Sequence, residues 1–404
     1  MDEKFKELVR EQFKGAKGTK ELSGFFQQMF KEAVQELLQA EMDEHVGYEK
    51  HAAESSQFSN SRNGKTKKKV KTKLGEIDLE VPRDRDGTFE PQLVPKRKRV
   101  LEEIEDHVLS LYTYGMSTRD IESHVRELYG VDMSEATISH ITDRIIEHID
   151  QWKARPLETV YMAIWMDAIV FKVRYNGKVT DKAVQIAVGL NRAGRKEVLG
   201  MWICENESAS FWMTVLTNLQ MRGVEDILIT STDNLKGFTE AIKSIYPAAK
   251  TQTCIVHQLR NSFKFVVWKD KKAVARALKR VYDAPDEKEG LRQLEIFNNE
   301  WSNKYPYIAQ SWRNNWANLS TFFEFPAQIR KIIYTTNLIE NVNRNIRKYT
   351  KAKSIMPNDT AVEKVVYLAL MQCQKKWTMP IKDWPIILLQ FINIFGQEKC
   401  RINL

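Results

Sequence analysis

The sequence predicts an α/β protein in which a mixed sheet follows a mostly helical N-terminal region. Three observations carry this expectation. Apolar runs rich in β-branched and aromatic residues follow one another from Val160. Strand-like and helix-like runs then alternate as far as Asn261. Before residue 154, by contrast, apolar residues recur mostly at spacings of three and four. At 404 residues the chain is too long for one ordinary core, so two or three domains are expected.

A hydrophobic share of 43% and an aromatic share of 10% describe a folding chain, not a disordered one. No run of about 18 apolar residues suggests a membrane span. The N-terminal MDEKFKELVR lacks the apolar core of a signal peptide. Cys204, Cys254, Cys373 and Cys400 follow no disulfide-framework spacing. A cytoplasmic location is therefore expected. The net charge of +9 favours a polyanionic partner.

Within residues 1–50, Phe26, Met29, Phe30, Val34, Leu37 and Leu38 fall at helical spacing, with Ser23 near the expected helix start. That helix suits either self-association or packing inside a domain. Residues 52–70 are polar and expected to be loose. Val70, Leu74, Ile77, Leu79 and Val81 then alternate around Gly75, the pattern of a short β-hairpin. Its surroundings are strongly basic. The segment SRNGKTKKKVKTK (61–73) holds Arg62 and six lysines with no acid, and PKRKR spans Pro95 to Arg99. Such density suits phosphate contacts through Arg62, Lys65, Lys67, Lys68, Lys69, Lys71, Lys96, Arg97, Lys98 and Arg99. The competing reading is a solvated linker.

In GMSTRDIESHVRELYGVDMSEATISHITDRI, Ser117 or Thr118 caps a helix holding Ile121, Val125 and Leu128, which Gly130 ends. Ser134 caps a second helix with Ile138 and Ile141, from which Thr137, Ser139 and His140 project outward. A short helix, a glycine turn and a second helix make the helix-turn-helix pattern, although any αα-corner has the same local signature.

From VYMAIWMDAIVFKVRY onward the pattern changes. This run, KAVQIAVGLN and KEVLGMWICEN form a three-strand meander, its second turn at NRAGRK. A helix capped by Ser208 and closed by Gly223 follows, then the strand VEDILITSTDN, a helix up to Pro247, and a fifth strand in KTQTCIVHQLRN. The order βββαβαβ is that of a ribonuclease H-like sheet with helices on both faces. Residues 258–325 interrupt it with helical sequence carrying Trp268, Trp301, Trp312 and Trp316. Each tryptophan fits a helical core, and one of them fits a platform for an unpaired base. Helices complete the chain.

Asp167 sits in the middle of the first apolar strand, where a carboxylate is costly to desolvate without a partner. Either it meets water at a strand end or it binds a cation. Asp233 closes the fourth strand, at the carboxyl edge where α/β sheets place ligands. In the expected order the two strands are neighbours. Two adjacent carboxylates repel, and a divalent cation resolves the repulsion; oxygen donors suit Mg²⁺ or Mn²⁺. The best third acid is Glu340 in TTNLIEN, ahead of Glu324 in an aromatic loop and Glu363 in a different helix, with Arg344, Arg347 and Lys348 beneath it on the same helix. The competing reading there is a surface salt-bridge helix.

These segments resemble the IS256 family of bacterial transposases, relatives of the Mutator-like elements. The resemblance rests on VKTKLGEIDLEVPRDRDGTFEPQLVPK, LYTYGMSTRDIESHVRELYGVDMSEATISHITD, WMDAIVFKVR, STDNLKGFTEAI, CIVHQLRNS and TTNLIENVNRNIRK, and covers nearly the whole chain. It implies a catalytic triad of Asp167, Asp233 and Glu340 holding two Mg²⁺ or Mn²⁺ ions. Cys254 and His257 match the family's C-x-x-H signature. Zinc does not suit them, because no second Cys/His pair stands at finger spacing. Cys254 fits core packing of a strand, and His257, just beyond it, fits a supporting role at the scissile phosphate or at a carboxylate.

The organisation expected is therefore an N-terminal helical region (1–60), a basic hairpin and linker (61–100), a helix-turn-helix region (101–153), a first part of the ribonuclease H-like core (156–257), a helical insertion (258–325), and the rest of the core with C-terminal helices (326–404). The implied reaction is cleavage at the terminal inverted repeats of an insertion sequence, followed by transfer of the freed 3′-OH to target DNA. Joining two ends requires a homodimer or larger assembly on double-stranded DNA. Two rivals share these features in part: a ribonuclease H-like nuclease or resolvase, and a catalytically silent DNA-binding regulator.

Overall fold

The computed structural model describes residues 19–50, 59–96, 98–205, 208–232, 237–334, 337–351 and 353–401. The chain forms two compact units, Met1–Arg144 and Ile145–Leu404.

In the first unit, helix α1 (Thr19–Val46) lies on a two-stranded antiparallel hairpin, β1 (Arg62–Thr72) and β2 (Gly75–Asp84). Ser23 is inside α1 instead of at its start; serine costs little within a helix. Of the apolar stripe, Val34 and Leu38 are buried with Val70, Ile77, Leu79 and Val81, whereas Phe26, Met29 and Leu37 are exposed. Gln35 bonds both the amide and the carbonyl of Glu80, fixing helix to strand.

The lysine run is not a loose linker. It is ordered from Arg62 as β1, because every second backbone group is paired with β2 and the lysines oppose acids: Lys65 meets Glu80 at 2.9 Å and Lys69 meets Glu76 at 3.2 Å. The reversal uses Gly75 at φ +107°, where a side chain would also strike Gln27.

Helices α2 (Glu102–Thr113), α3 (Thr118–Tyr129) and α4 (Glu135–Ala154) follow. Ser117 and Asp120 make a reciprocal capping box, and Gly130 takes the left-handed conformation at φ 63°. Ser134 Oγ accepts from the Thr137 amide at 3.2 Å. Ile121, Val125, Ile138 and Ile141 are buried, but Leu128, on the same stripe in the last turn of α3, is 53% exposed.

The second unit is built on a five-stranded mixed sheet of order β5-β4-β3-β6-β7. Strands β3 (Val160–Tyr175), β4 (Lys178–Asn191) and β5 (Lys196–Cys204) form the antiparallel meander. Strands β6 (Asp226–Thr232) and β7 (Lys250–Thr253) add in parallel beside β3. Between them run α5 (Ala209–Met221) and α6 (Phe238–Ile245). Alternation divides β3 into two faces. Ile164 and Met166 pack under Trp212, Leu216, Phe238 and Ile242 of α5 and α6. Trp165 and Asp167 face the other way.

The fifth strand is shorter than the sequence suggests. It stops at Thr253, and α7 (Ile255–Phe263) begins at once. Cys254 is the helix cap and not a strand residue: its Sγ accepts from the His257 amide at 3.2 Å. The insertion then packs α8 (Trp268–Tyr282), α9 (Glu287–Trp301), α10 (Pro306–Asn314) and α11 (Trp316–Leu319) around Val274, Leu278, Leu294, Phe297, Ile308 and Trp312. A 3₁₀ turn leads to α12 (Ala327–Tyr334), α13 (Asn337–Thr350), α14 (Asp359–Gln374), α15 (Trp384–Phe395) and α16 (Gln397–Cys400). Helices α13 and α14 cover the second face of β3. Among the described residues, no helix is long and apolar enough to cross a membrane.

Candidate active site and cationic cleft

Asp167 is 7% exposed on β3, and its surroundings are polar in an otherwise apolar layer. Oδ1 accepts from the Ala168 amide at 2.9 Å. Oδ2 accepts from Asn343 Nδ2 of α13 at 2.7 Å. Burial pushes the Asp167 carboxyl up; the charges of His257 and Arg260 and these two hydrogen bonds pull against it without restoring the ordinary value. A buried acid held in this way has a site that favours an added positive charge.

Two helices converge on it. α13 contributes Glu340 and Asn343, three residues apart and therefore on one face. α7 contributes His257 and Arg260, again three apart. Glu340 does not pair along its own helix with Arg344. Its Oε1 lies 2.6 Å from Arg260 Nη2, across to α7, with the glutamate side chain 19% exposed and the arginine 56%. Arg344, Arg347 and Lys348 lie on the exposed side of α13. Among the described residues, His257 Nδ1 and Asn343 Oδ1 are buried without a hydrogen-bond partner. Ser231 Oγ and Thr232 Oγ1, at the end of β6, are in the same condition. β6 runs parallel to β3 with Trp165 opposite Ser231. Asp233, next in sequence after Thr232, lies outside the described residues.

Asn343 and Arg260 were not singled out by the sequence. A helical-wheel reading of α7 and α13 would have found them, since each stands one turn from a residue that was. Among the described residues, no group of three or more His, Cys, Asp or Glu side chains is gathered to hold a metal ion; Asp167, Glu340 and Asn343 carry carboxylate and amide oxygens, and the Arg260 guanidinium lies on Glu340. Hard oxygen donors meeting a cation are what Mg²⁺ or Mn²⁺ requires.

The basic residues of the first unit divide into two sets. Arg62 turns inward, to Asp43 at 2.6 Å and over the Tyr48 ring. Lys65, Lys69, Lys96 and Lys98 pair with Glu80, Glu76, Glu90 and Glu105. Lys71 bonds the Asp132 carbonyl. Arg97 lies outside the described residues. The second set lines a cleft of about 540 Å³ beside β1 and β2: Lys67, Lys68, Arg83, Arg85 and Arg99, with Lys96 at its margin. Lys68 is half-buried, and burial followed by the Arg99 charge push its ammonium down. Lys67, Arg83, Arg85 and Arg99 are exposed and, among the described residues, form no ion pair. Arg83 and Arg85 also escaped the sequence reading, because they stand among acids in PRDRDG. On α4, Ser139 and His140 are exposed, while Thr137 is half-buried with its hydroxyl on Ser134 at 2.9 Å.

Comparison with known proteins gives one consistent result. A family profile described as "Transposase, Mutator family" matches residues 2–380. A transposase for insertion sequence element ISRM3 from Rhizobium meliloti is 40% identical over 376 residues, 93% of each chain. The transposase of insertion sequence element IS256 in transposon Tn4001, from Staphylococcus aureus, is 28% identical and covers 88% of this chain and 90% of its own length. Among solved structures, a simian T-cell lymphotropic virus intasome in complex with the PP2A regulatory subunit B56 gamma matches 41% of this chain and 62% of that chain at 15% identity, with a TM-score of 0.19, too low to bear on the fold.

Proposed function

This chain belongs to the Mutator family of transposases, and from that premise we propose that it cuts and joins DNA by metal-assisted phosphoryl transfer at Asp167, Asp233 and Glu340. The observation that supports this reading is the convergence on buried Asp167 of α13, through Asn343, and of α7, through the charges of His257 and Arg260. The strand order and the parallel pairing of β3 with β6 favour a ribonuclease H-like sheet, on which such acids share one edge.

Asp167, Asp233 and Glu340 supply carboxylate oxygens for divalent cations, Mg²⁺ or Mn²⁺. When bound, such cations offset charge on the phosphoryl oxygens and make water more acidic. Asn343 orients Asp167 by holding Oδ2. Arg260 neutralises Glu340 and stands half-exposed, within reach of a backbone phosphate. His257, with Nδ1 unpartnered, carries a proton to the leaving oxygen or steadies the phosphate. Arg344, Arg347 and Lys348 hold the DNA backbone beside the acids.

The first unit binds the terminal inverted repeats. Lys67, Arg83, Arg85 and Arg99 hold phosphates, and α3–Gly130–α4 acts as a helix-turn-helix, reading base edges through Ser139 and His140. Joining two ends requires at least two copies of the chain.

The test uses a labelled duplex carrying the element's own end, in Mg²⁺ or Mn²⁺. Wild type should nick the end and join it to other DNA. Asp167→Ala, Asp233→Ala and Glu340→Ala should bind the duplex and do neither. Equal cutting by the variants would sink the assignment. Binding by wild type without any cutting would leave a DNA-binding regulator.

A further inference from the structure

Of the insertion's four candidate tryptophans, three have partners. Trp312 is buried and donates Nε1 to Ser262 at 3.0 Å. Trp316 donates to Glu287 at 2.9 Å. Trp301 stacks on Tyr305. Trp268 differs: it is 87% exposed at the first residue of α8, beside Phe265 at 62% and Val267 at 49%. Large aromatic groups this open to water mark interaction sites more often than packing faults.

The turn that carries them is rigid. Val266 is buried as its anchor. The Val267 amide donates to the Tyr305 hydroxyl at 3.3 Å, and that hydroxyl donates to Asp270 at 2.7 Å. Phe265 sits edge-on to Tyr307 with ring centroids 4.6 Å apart. These contacts hold the backbone of the turn and the Phe265 ring.

Its charge identifies the partner. Lys264, Lys269, Lys271 and Lys272 surround it, all exposed and, among the described residues, outside any ion pair. The one acid in KFVVWKDKK, Asp270, is occupied by Lys304 and Tyr305. An apolar or uncharged partner would leave four lysines unpaired around the tryptophan. Bases flanked by phosphates match both features.

We propose that the Phe265–Trp268 turn is a stacking wedge for a base displaced from the DNA held at the candidate active site, a reading that rests on the proposed function. His257 lies on α7, which ends at Phe263, two residues before this turn.

The experiment uses the full chain and duplexes carrying 2-aminopurine at successive positions within about six steps of the cut, in chelator so that nothing is cleaved. Wild type raises fluorescence at one or two adjacent positions. Trp268→Ala abolishes the rise and weakens binding roughly 5- to 150-fold, the range of one stacked base; Trp268→Phe keeps part of both. Because the side chain is almost wholly in water, the truncation leaves the core untouched. If Trp268→Ala and Phe265→Ala leave fluorescence and affinity unchanged, the proposal falls. It falls equally if Trp268→Ala changes only concentration-dependent sedimentation without DNA, which would make the turn a contact between copies. Asp167→Asn separates the two readings. If neither it nor wild type cuts DNA while the Trp268-dependent signal persists, the wedge stands and the chemistry falls.

Discussion

Asn343 on α13 donates its Nδ2 hydrogen to Oδ2 of Asp167 on β3 at 2.7 Å, tying the helix that carries Glu340 to the strand that carries Asp167. Asn343 touches no DNA in the proposed function; it positions Asp167. Asn343→Ala should therefore lower the cleavage rate about 10- to 100-fold, as loss of such a supporting contact does, with KM for DNA unchanged. A steady-state comparison on the labelled duplex checks the split. A rise in KM alone would mean that Asn343 contacts DNA instead.

If Glu340 holds a divalent cation as proposed, that cation would compete with Arg260 for the same oxygen. Removing the guanidinium should tighten Mn²⁺ binding in the absence of DNA, seen by calorimetric titration of Arg260→Ala. Arg260→Lys keeps the charge and should bind Mn²⁺ nearly as wild type does. The pair is partly exposed, so its loss should cost under about 1 kcal/mol of stability. Weaker Mn²⁺ binding by Arg260→Ala would show that the arginine supports the site and does not compete for it.

Four exposed cations in the cleft, Lys67, Arg83, Arg85 and Arg99, form no ion pair among the described residues. Each phosphate contact contributes about 0.9 to the slope of log affinity against log salt. Changing all four to alanine should flatten that slope by roughly 3 to 4 for duplex DNA. Lys65→Ala, which removes a cation already paired with Glu80, should change it far less. Equal flattening by both would place the phosphate contacts along the whole hairpin.

Asp84 tests the hairpin's own stability. Burial pushes its carboxyl up, but bonds from Asn60, Thr88 and the amides of Phe89 and Thr88 outweigh burial and hold it far below the usual range. A depressed carboxyl stabilises the fold above its unfolded value, about pH 3.9. The contribution is complete at pH 7 and fades as pH falls below 3.9 toward the folded value. Asp84→Asn should cost about 1–3 kcal/mol at pH 7. The difference from wild type should shrink below about pH 4. Denaturant melts at pH 7 and pH 3 check the sign; a gap that widens in acid would refute it.

The elements were legible because their signals are local. The alternation in WMDAIVFKVR and IDLEV, the cap at Ser117 and the stop at Gly130 each act within a few residues. Misreadings arose where one signal hid another. Lysines in 62–69 resemble a linker until their partners Glu76 and Glu80 are known. Thr253 to His257 looks like continued strand, because a cysteine seldom caps a helix.

By itself, then, the sequence determined the order of strands and helices, the anomaly of an aspartate on an apolar strand, and the spacing that put Glu340 on a helix face. Only the tertiary structure decided what stands beside Asp167, that His257 belongs to a helix, that Glu340 pairs with Arg260 and not with Arg344, and that Trp268, unlike the other three tryptophans, is mostly exposed. The reason is one of range. Periodicity records which face of an element is buried, but Asp167 and Asn343 are 176 residues apart. No local pattern encodes a contact that exists only after α7, α13 and β3 have packed together.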